Sequence, residues 1–130
     1  MRAIIIAAVI SLLPAQAIAA DQFDLICKGR EKTRTWGKWL PIETRYRIDL
    51  SAKAWCKGNC QRTFVIQDVN DARITFVSAS EPDPAAGSTL HYVDRVDGRW
   101  VDAVHNSVVN FDTEGTCEPA PFSGLPANKF

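Results

Sequence analysis

The chain has 130 residues, and its 15 lysines and arginines balance its 15 aspartates and glutamates, so the formal net charge at pH 7 is zero. This length leaves room for one domain after a targeting segment. The sequence contains no G-x-S-x-G, H-E-x-x-H, P-loop or dinucleotide-binding motif, so no motif supports the corresponding hydrolase, zinc-protease and nucleotide-binding classes.

Residues 1–20 have the pattern of a secretory signal peptide. Met1-Arg2 gives a short positive start, Ala3 to Leu13 form an apolar run, and Ala17-Ile18-Ala19 is a small-residue cleavage site. The apolar run is shorter than the roughly 20 residues of a membrane-spanning helix and no second run follows it, so we predict no transmembrane segment in the mature chain. We therefore predict a signal peptide over 1–20, one domain over 21–130, and a secreted or periplasmic location, which excludes cytosolic nucleic acid as a partner.

Alternating apolar and polar residues recur along the rest of the chain and predict β-strands. The segments with this pattern are QFDLIC, TRYRIDL, FVIQD, ARITFVS, TLHYVDRV, RWVDAVH and SVVNFD, followed by a short TCE. Almost no helix signal lies between them. We predict an all-β domain of about seven or eight antiparallel strands, either a barrel or a sandwich.

Short polar segments between these strands predict the hairpin registers. A loop at 57–59 sets Cys56 opposite Cys60, and a loop at 69–71 sets Ile66 opposite Ile74. Asp97-Gly98 is typical of a two-residue type I′ turn and sets Tyr92 opposite Ala103.

Four cysteines in an exported chain predict two disulfides, for which three connectivities exist. Cys56 and Cys60 face each other in the predicted hairpin. Cys27 lies in the first strand and Cys117 near the last, so these two meet if the sheet closes. We predict Cys27–Cys117 and Cys56–Cys60 as structural disulfides. Redox chemistry more often uses C-x-x-C at a helix start, and with only two histidines we predict neither a metal site nor a cofactor.

Charge is distributed unevenly along the chain. Residues 21–62 hold ten Lys/Arg against five Asp/Glu, whereas residues 63–130 hold four against ten. Within the basic half, cations are interspersed with indoles in CKGREKTRTWGKWLP, a composition suited to an anionic, ring-bearing ligand or to a lipid headgroup surface. We predict a ligand-binding surface of Arg30, Lys32, Arg34, Trp36, Lys38 and Trp39. The alternative is a solvated segment whose charges balance the acidic half, with the tryptophans covering one end of the barrel.

His91 and Asp102 are the residues closest to a catalytic pair. The predicted register places them as diagonal neighbours on one face, where a carboxylate could orient an imidazole. No nucleophile is identifiable, and Arg95 and Trp100 share that face. We interpret the group as a solvent-exposed structural cluster and predict no catalytic residues and no enzymatic activity.

In size and strand plan the chain is similar to the small periplasmic β-barrel lysozyme inhibitors. Their S-G-x-x-Y signature is missing from AGSTLHY, so the resemblance implies the architecture alone and transfers no site residues. We expect a monomeric, non-enzymatic binding or envelope-associated module that recognises an anionic envelope component or a protein partner. The alternatives are a small periplasmic enzyme inhibitor and a small hydrolase that uses His91.

Overall fold

The computed structural model describes residues 21–80 and 87–126, so the predicted signal peptide over 1–20 lies outside the described residues. The described chain is all-β, as predicted. Its nine strands are β1 (Gln22–Thr33), β2 (Trp39–Asp49), β3 (Ala54–Lys57), β4 (Thr63–Val65), β5 (Asp68–Val69), β6 (Arg73–Ser80), β7 (Ser88–Asp94), β8 (Arg99–His105) and β9 (Asn110–Ala120).

The nine strands form one antiparallel sheet in the order β4-β3-β2-β1-β9-β8-β7-β6-β5, curled into a half-barrel. Its two edge strands are consecutive in the chain and joined by Ile66 and Gln67. The Ile66 amide donates to the Lys53 carbonyl at 2.8 Å and the Gln67 amide donates to the Thr75 carbonyl at 3.0 Å. This link is therefore hydrogen-bonded to the β2–β3 turn at one end and to β6 at the other. The predicted count of seven or eight strands was wrong. Residues 54–57 form an additional strand and residues 63–69 form two short strands, whereas the predicted SVVNFD and TCE segments belong to the single strand β9.

The concave face of the curled sheet holds the hydrophobic core. Along β1, Leu25 and Cys27 are buried, Ile26 between them is partly exposed, and Lys28 and Arg30 beyond them are exposed, which is the period-2 alternation of a half-buried strand. The other strands and the link between β4 and β5 contribute large side chains to the same interior, and those with at most 2% exposure are Tyr46, Ile48, Ile66, Ile74, Phe76 and Trp100.

Two of the predicted hairpin registers were wrong because asparagine and aspartate side chains cap the turns. Tyr92 lies opposite Val101, not Ala103, and the Gly98 amide closes a longer turn on the Asp94 carbonyl at 3.0 Å. Asp94 and Asp97 accept backbone amides inside this turn. Val69, not Ile66, lies opposite Ile74, since Asn70 caps the following amides.

A third register also differs, since Cys56 lies opposite Thr63 and not Cys60. The disulfide between Cys56 and Cys60 therefore closes a loop of its own within the β3–β4 connection.

The second disulfide joins Cys27 and Cys117, which are directly opposite each other in the pairing of β1 with β9. The predicted cysteine pairs are thus the pairs found in the structure, and neither occurs in a redox-type C-x-x-C. Two disulfides are consistent with an oxidising compartment.

The segment after β9 crosses the convex face of the sheet and is fixed there by Asp24. This carboxylate is fully buried and accepts hydrogen bonds from the Ser123 amide at 3.1 Å and the Ser123 hydroxyl at 2.6 Å. It also pairs with Arg45. Burial alone would raise the pKa of Asp24, but the bonds from Ser123 and Arg45 outweigh it, and the pKa lies below its ordinary value.

Within residues 21–80 and 87–126, no helix has the length and apolar character needed to cross a bilayer.

Candidate functional site

The six residues predicted to bind a ligand lie together at one end of the half-barrel, on the β1–β2 hairpin. Arg30 and Lys32 belong to β1, Trp39 begins β2, and Arg34, Trp36 and Lys38 lie in the turn. The turn is closed by the Gly37 amide, which donates to the Thr33 carbonyl at 2.9 Å, and Gly37 has a φ of 61° that suits glycine.

The cations farther from the turn are neutralised inside the molecule. Arg30 lies opposite Glu114, and its Nε donates to that carboxylate at 2.8 Å, while its guanidinium stacks 4.5 Å from the ring centroid of Trp39. Lys28 lies opposite Glu43, with their charged atoms 4.0 Å apart. The charge of Arg30 is therefore balanced inside the molecule, as the alternative interpretation expects. Trp39 contacts this same guanidinium.

The cations nearer the turn lack such partners. Among the described residues, no carboxylate oxygen lies within 4.0 Å of the charged atoms of Lys32, Arg34 or Lys38. Asp112 lies opposite Lys32 across the sheet, but its carboxylate contacts His105 Nε2 at 2.8 Å. Trp36 is 65% exposed beside these cations. Of the six predicted residues, four therefore remain as the candidate site: Lys32, Arg34, Trp36 and Lys38. We call these four residues the basic turn.

A second turn lies next to the basic turn. The Arg34 amide donates to the Asn110 carbonyl at 3.0 Å, which links the β1–β2 turn to the turn between β8 and β9. Ser107 to Val109 were predicted to begin a strand, but β9 begins at Asn110. Asn106 Oδ1 accepts the amides of Val108 and Val109 at 2.8 and 2.6 Å, so these two residues form the turn.

This feature of the site was not predicted from the sequence. Val108 is 88% exposed and Val109 is 44% exposed, in the turn that the Arg34–Asn110 hydrogen bond links to the basic turn. The sequence signal that could have predicted this turn is Asn106, because an asparagine two residues before Val108 can accept the backbone amides of the turn that follows it.

His91 and Asp102 lie directly opposite each other, which is closer than the predicted diagonal arrangement. Their charged atoms are 4.0 Å apart, and His91 Nε2 shares a hydrogen bond of 3.1 Å with the Tyr46 hydroxyl. The interpretation of a solvent-exposed cluster was wrong: His91 is 4% exposed and Trp100 is 1% exposed. Arg95 belongs to the β7–β8 turn, where it donates to the Asn70 carbonyl.

The surroundings of His91 are apolar and aromatic. The rings of Phe76 and Trp55 lie 4.6 and 5.2 Å from the imidazole, centroid to centroid. Burial, with a smaller contribution from the positive charge of Lys57, lowers the pKa of His91 to about 3. Burial raises the pKa of Asp102 and also that of Tyr46. His91 is therefore a neutral imidazole in an enclosed polar network, and the geometry of this network gives no support to the hydrolase alternative.

A pocket with a volume of about 330 Å³ lies at the opposite end of the half-barrel. Phe23, Leu25 and Val93 form part of its wall, and the turn over residues 94–98 covers one side. Its wall is continuous with the core, and we assign it no ligand.

Within the described part of the chain, no three histidine, cysteine, aspartate or glutamate side chains are grouped so that they could hold a metal ion. Comparison of the chain with protein-family models, curated proteins and solved structures finds no match.

Proposed function

We propose that this chain is an exported, non-enzymatic binding module whose basic turn recognises an anionic component of the cell envelope. The observation that carries the proposal is the set of three cations, Lys32, Arg34 and Lys38, that have no carboxylate partner among residues 21–80 and 87–126 and lie in one turn with the exposed indole of Trp36. The predicted signal peptide and the two disulfides support export into an oxidising compartment.

The physical argument rests on the contrast within one hairpin. Arg30 contacts both a carboxylate and an indole, so its charge is used inside the fold. The charges of the basic turn are not used in this way and remain available to an anion in solution. The indole of Trp36 adds an N–H group that can donate to an anionic oxygen, together with an apolar contact surface. The basic turn thus combines long-range attraction with a short-range contact surface.

The proposal is tested with a soluble polyanion, inorganic polyphosphate, by fluorescence anisotropy at 0.01 and 0.15 M salt. The screening length shortens from about 30 Å to about 8 Å over this range, so affinity should fall steeply. The triple variant Lys32→Ser/Arg34→Ser/Lys38→Ser should lose binding. Trp36→Ala should weaken it about fivefold, the equivalent of a contact of about 1 kcal/mol.

The matched control removes three exposed cations that lie outside the basic turn, in Lys53→Asn/Arg62→Ser/Arg99→Ser. This variant should bind polyphosphate nearly as well as the wild type. Equal losses in the control and the triple variant would show that net charge alone acts, and absence of wild-type binding at 0.01 M salt would refute the proposal.

The inhibitor alternative uses the same turn in another way. β3 pairs with β2 only from Tyr46 onward, so the hairpin extends beyond β3 and presents Trp36 at its tip. An inhibitor would insert this tip into the cleft of a target enzyme. Inhibition of a lysozyme by the wild type, lost in Trp36→Ala and kept in the triple variant, would favour this alternative.

A further inference from the structure

The basic turn and the β8–β9 turn together form the end of the molecule. The two turns are linked by the hydrogen bond from the Arg34 amide to the Asn110 carbonyl and by the pairing of Thr33 with Phe111. Three apolar side chains project from them, those of Trp36, Val108 and Val109, with 65%, 88% and 44% exposure. One end of the half-barrel is therefore apolar at its tip and cationic just behind it.

Recognition of a small soluble anion does not explain why the side chains of Val108 and Val109 are exposed. The side chain of Asn106 fixes their backbone, so their exposure is a property of the turn and not of a frayed end. Exposed apolar side chains grouped with cations suit a surface that is apolar inside and anionic outside. An anionic lipid bilayer has this arrangement.

The dimensions of the turns fit a bilayer interface. Lys32 lies near the end of β1 and Arg34 directly follows the strand, so at about 3.3 Å per extended residue these cations are spaced over about 7 Å. The headgroup region on each side of a bilayer is about 5–8 Å thick, half the difference between the total and the hydrocarbon thickness. Indoles favour the interfacial region of a bilayer, which suits the exposed side chain of Trp36.

We propose that the protein docks end-on to an anionic lipid bilayer, with Val108, Val109 and Trp36 inserted into the interface and Lys32, Arg34 and Lys38 contacting lipid phosphates. This inference rests on the proposed function and specifies its ligand as a lipid surface. The two turns act as one unit because a backbone hydrogen bond links them.

The test compares vesicles of phosphatidylglycerol and phosphatidylcholine in a 3:7 ratio with phosphatidylcholine vesicles and with soluble polyphosphate. The wild type should co-sediment with the anionic vesicles and far less with the neutral ones. Val108→Ser/Val109→Ser should bind the anionic vesicles at least tenfold more weakly, because the apolar insertion is lost, and should bind polyphosphate like the wild type.

The matched control is Val65→Ser/Val96→Ser. These valines are 78% and 83% exposed but lie away from the two turns, in β4 and in the β7–β8 turn. This variant should bind the anionic vesicles like the wild type. A brominated lipid should quench part of the tryptophan fluorescence of bound wild type, and Trp36→Phe should remove that part.

The outcomes separate this inference from the proposed function. Wild-type binding to polyphosphate without binding to anionic vesicles overturns the lipid inference and leaves the anion-binding proposal in place. Undiminished vesicle binding by Val108→Ser/Val109→Ser also overturns it. Absence of binding to both probes at low salt refutes the proposed function itself.

Discussion

The buried imidazole of His91 should make the stability of the protein depend on pH. Its pKa in the folded state is about 3, whereas an unperturbed histidine has a pKa of about 6.5. Between these two values the unfolded chain takes up a proton that the folded chain does not. Stability from this group is therefore complete above pH 6.5 and is lost as the pH falls toward 3.

The size of the effect follows from the two pKa values. Lowering the pH from 7 to 5 favours the unfolded state through His91 by about 2 kcal/mol. Asp102 acts in the opposite direction, because burial raises its pKa and the folded state binds a proton first. The quantity to compare is consequently the difference in pH dependence between the wild type and a variant that lacks only the imidazole.

Urea denaturation of the oxidised protein at pH 7 and pH 5 measures this difference. His91→Gln is the test variant, and His105→Gln removes the exposed histidine as its control. The wild type and His105→Gln should lose stability on acidification, whereas His91→Gln should lose about 2 kcal/mol less, even if it is less stable at both pH values. Parallel pH dependence in the wild type and His91→Gln would refute a buried, neutral His91.

Two further substitutions test how the fold is held together. Asp24→Ala should destabilise the protein by about 2–4 kcal/mol, because it leaves the donors of Ser123 without their buried acceptor. Its effect should begin to shrink only below about pH 4 and should be lost at still lower pH, because the pKa of Asp24 in the folded state lies below its ordinary value. Glu118→Ala on the exposed surface should change urea stability little. Gly29→Ala should cost more than about 3 kcal/mol or prevent folding, since an added Cβ would overlap the Glu114 carbonyl, whereas Gly37→Ala, where space is open but φ is positive, should cost only about 1–2 kcal/mol. Equal melting temperatures for the two alanine variants would contradict the close approach of β1 and β9.

Much of the architecture could be predicted from the sequence because it depends on alternation and chain order. Exposed and buried residues alternate in β1 as their sequence pattern indicates. The meeting of Cys27 with Cys117 follows from placing the first and last strands side by side in a curled sheet. Neither inference needs the exact length of any turn.

The turn lengths themselves depended on local side-chain capping, which strand alternation does not reveal. Asn70, Asp94 and Asn106 each accept backbone amides and move the adjoining strand ends. The exposure of Val108 and Val109 is a direct result, and no pattern of alternation would have placed them in a turn.

Which face of β7 lies in the core also required the tertiary structure. Both faces of this strand carry apolar residues, with Leu90 and Tyr92 on one face and His91 and Val93 on the other. The Leu90 face has the stronger apolar pattern, yet His91 points inward, since Tyr46 provides its hydrogen bond there. Tyr46 is 45 residues away in the sequence, which local patterns cannot relate to His91.

The pairing of β1 with β9 also dictates the order in which the protein can fold. β1 can pair with β2 soon after both are synthesised, but its other edge has no partner until residues 110–120 have been made. Cys27 can form its disulfide only when Cys117, 90 residues later, is present. Cys56 and Cys60 are four residues apart and can therefore be oxidised first. Once Cys56 and Cys60 are joined, neither thiol is free to form an incorrect disulfide with Cys27. Early formation of the Cys56–Cys60 disulfide therefore favours the correct Cys27–Cys117 disulfide.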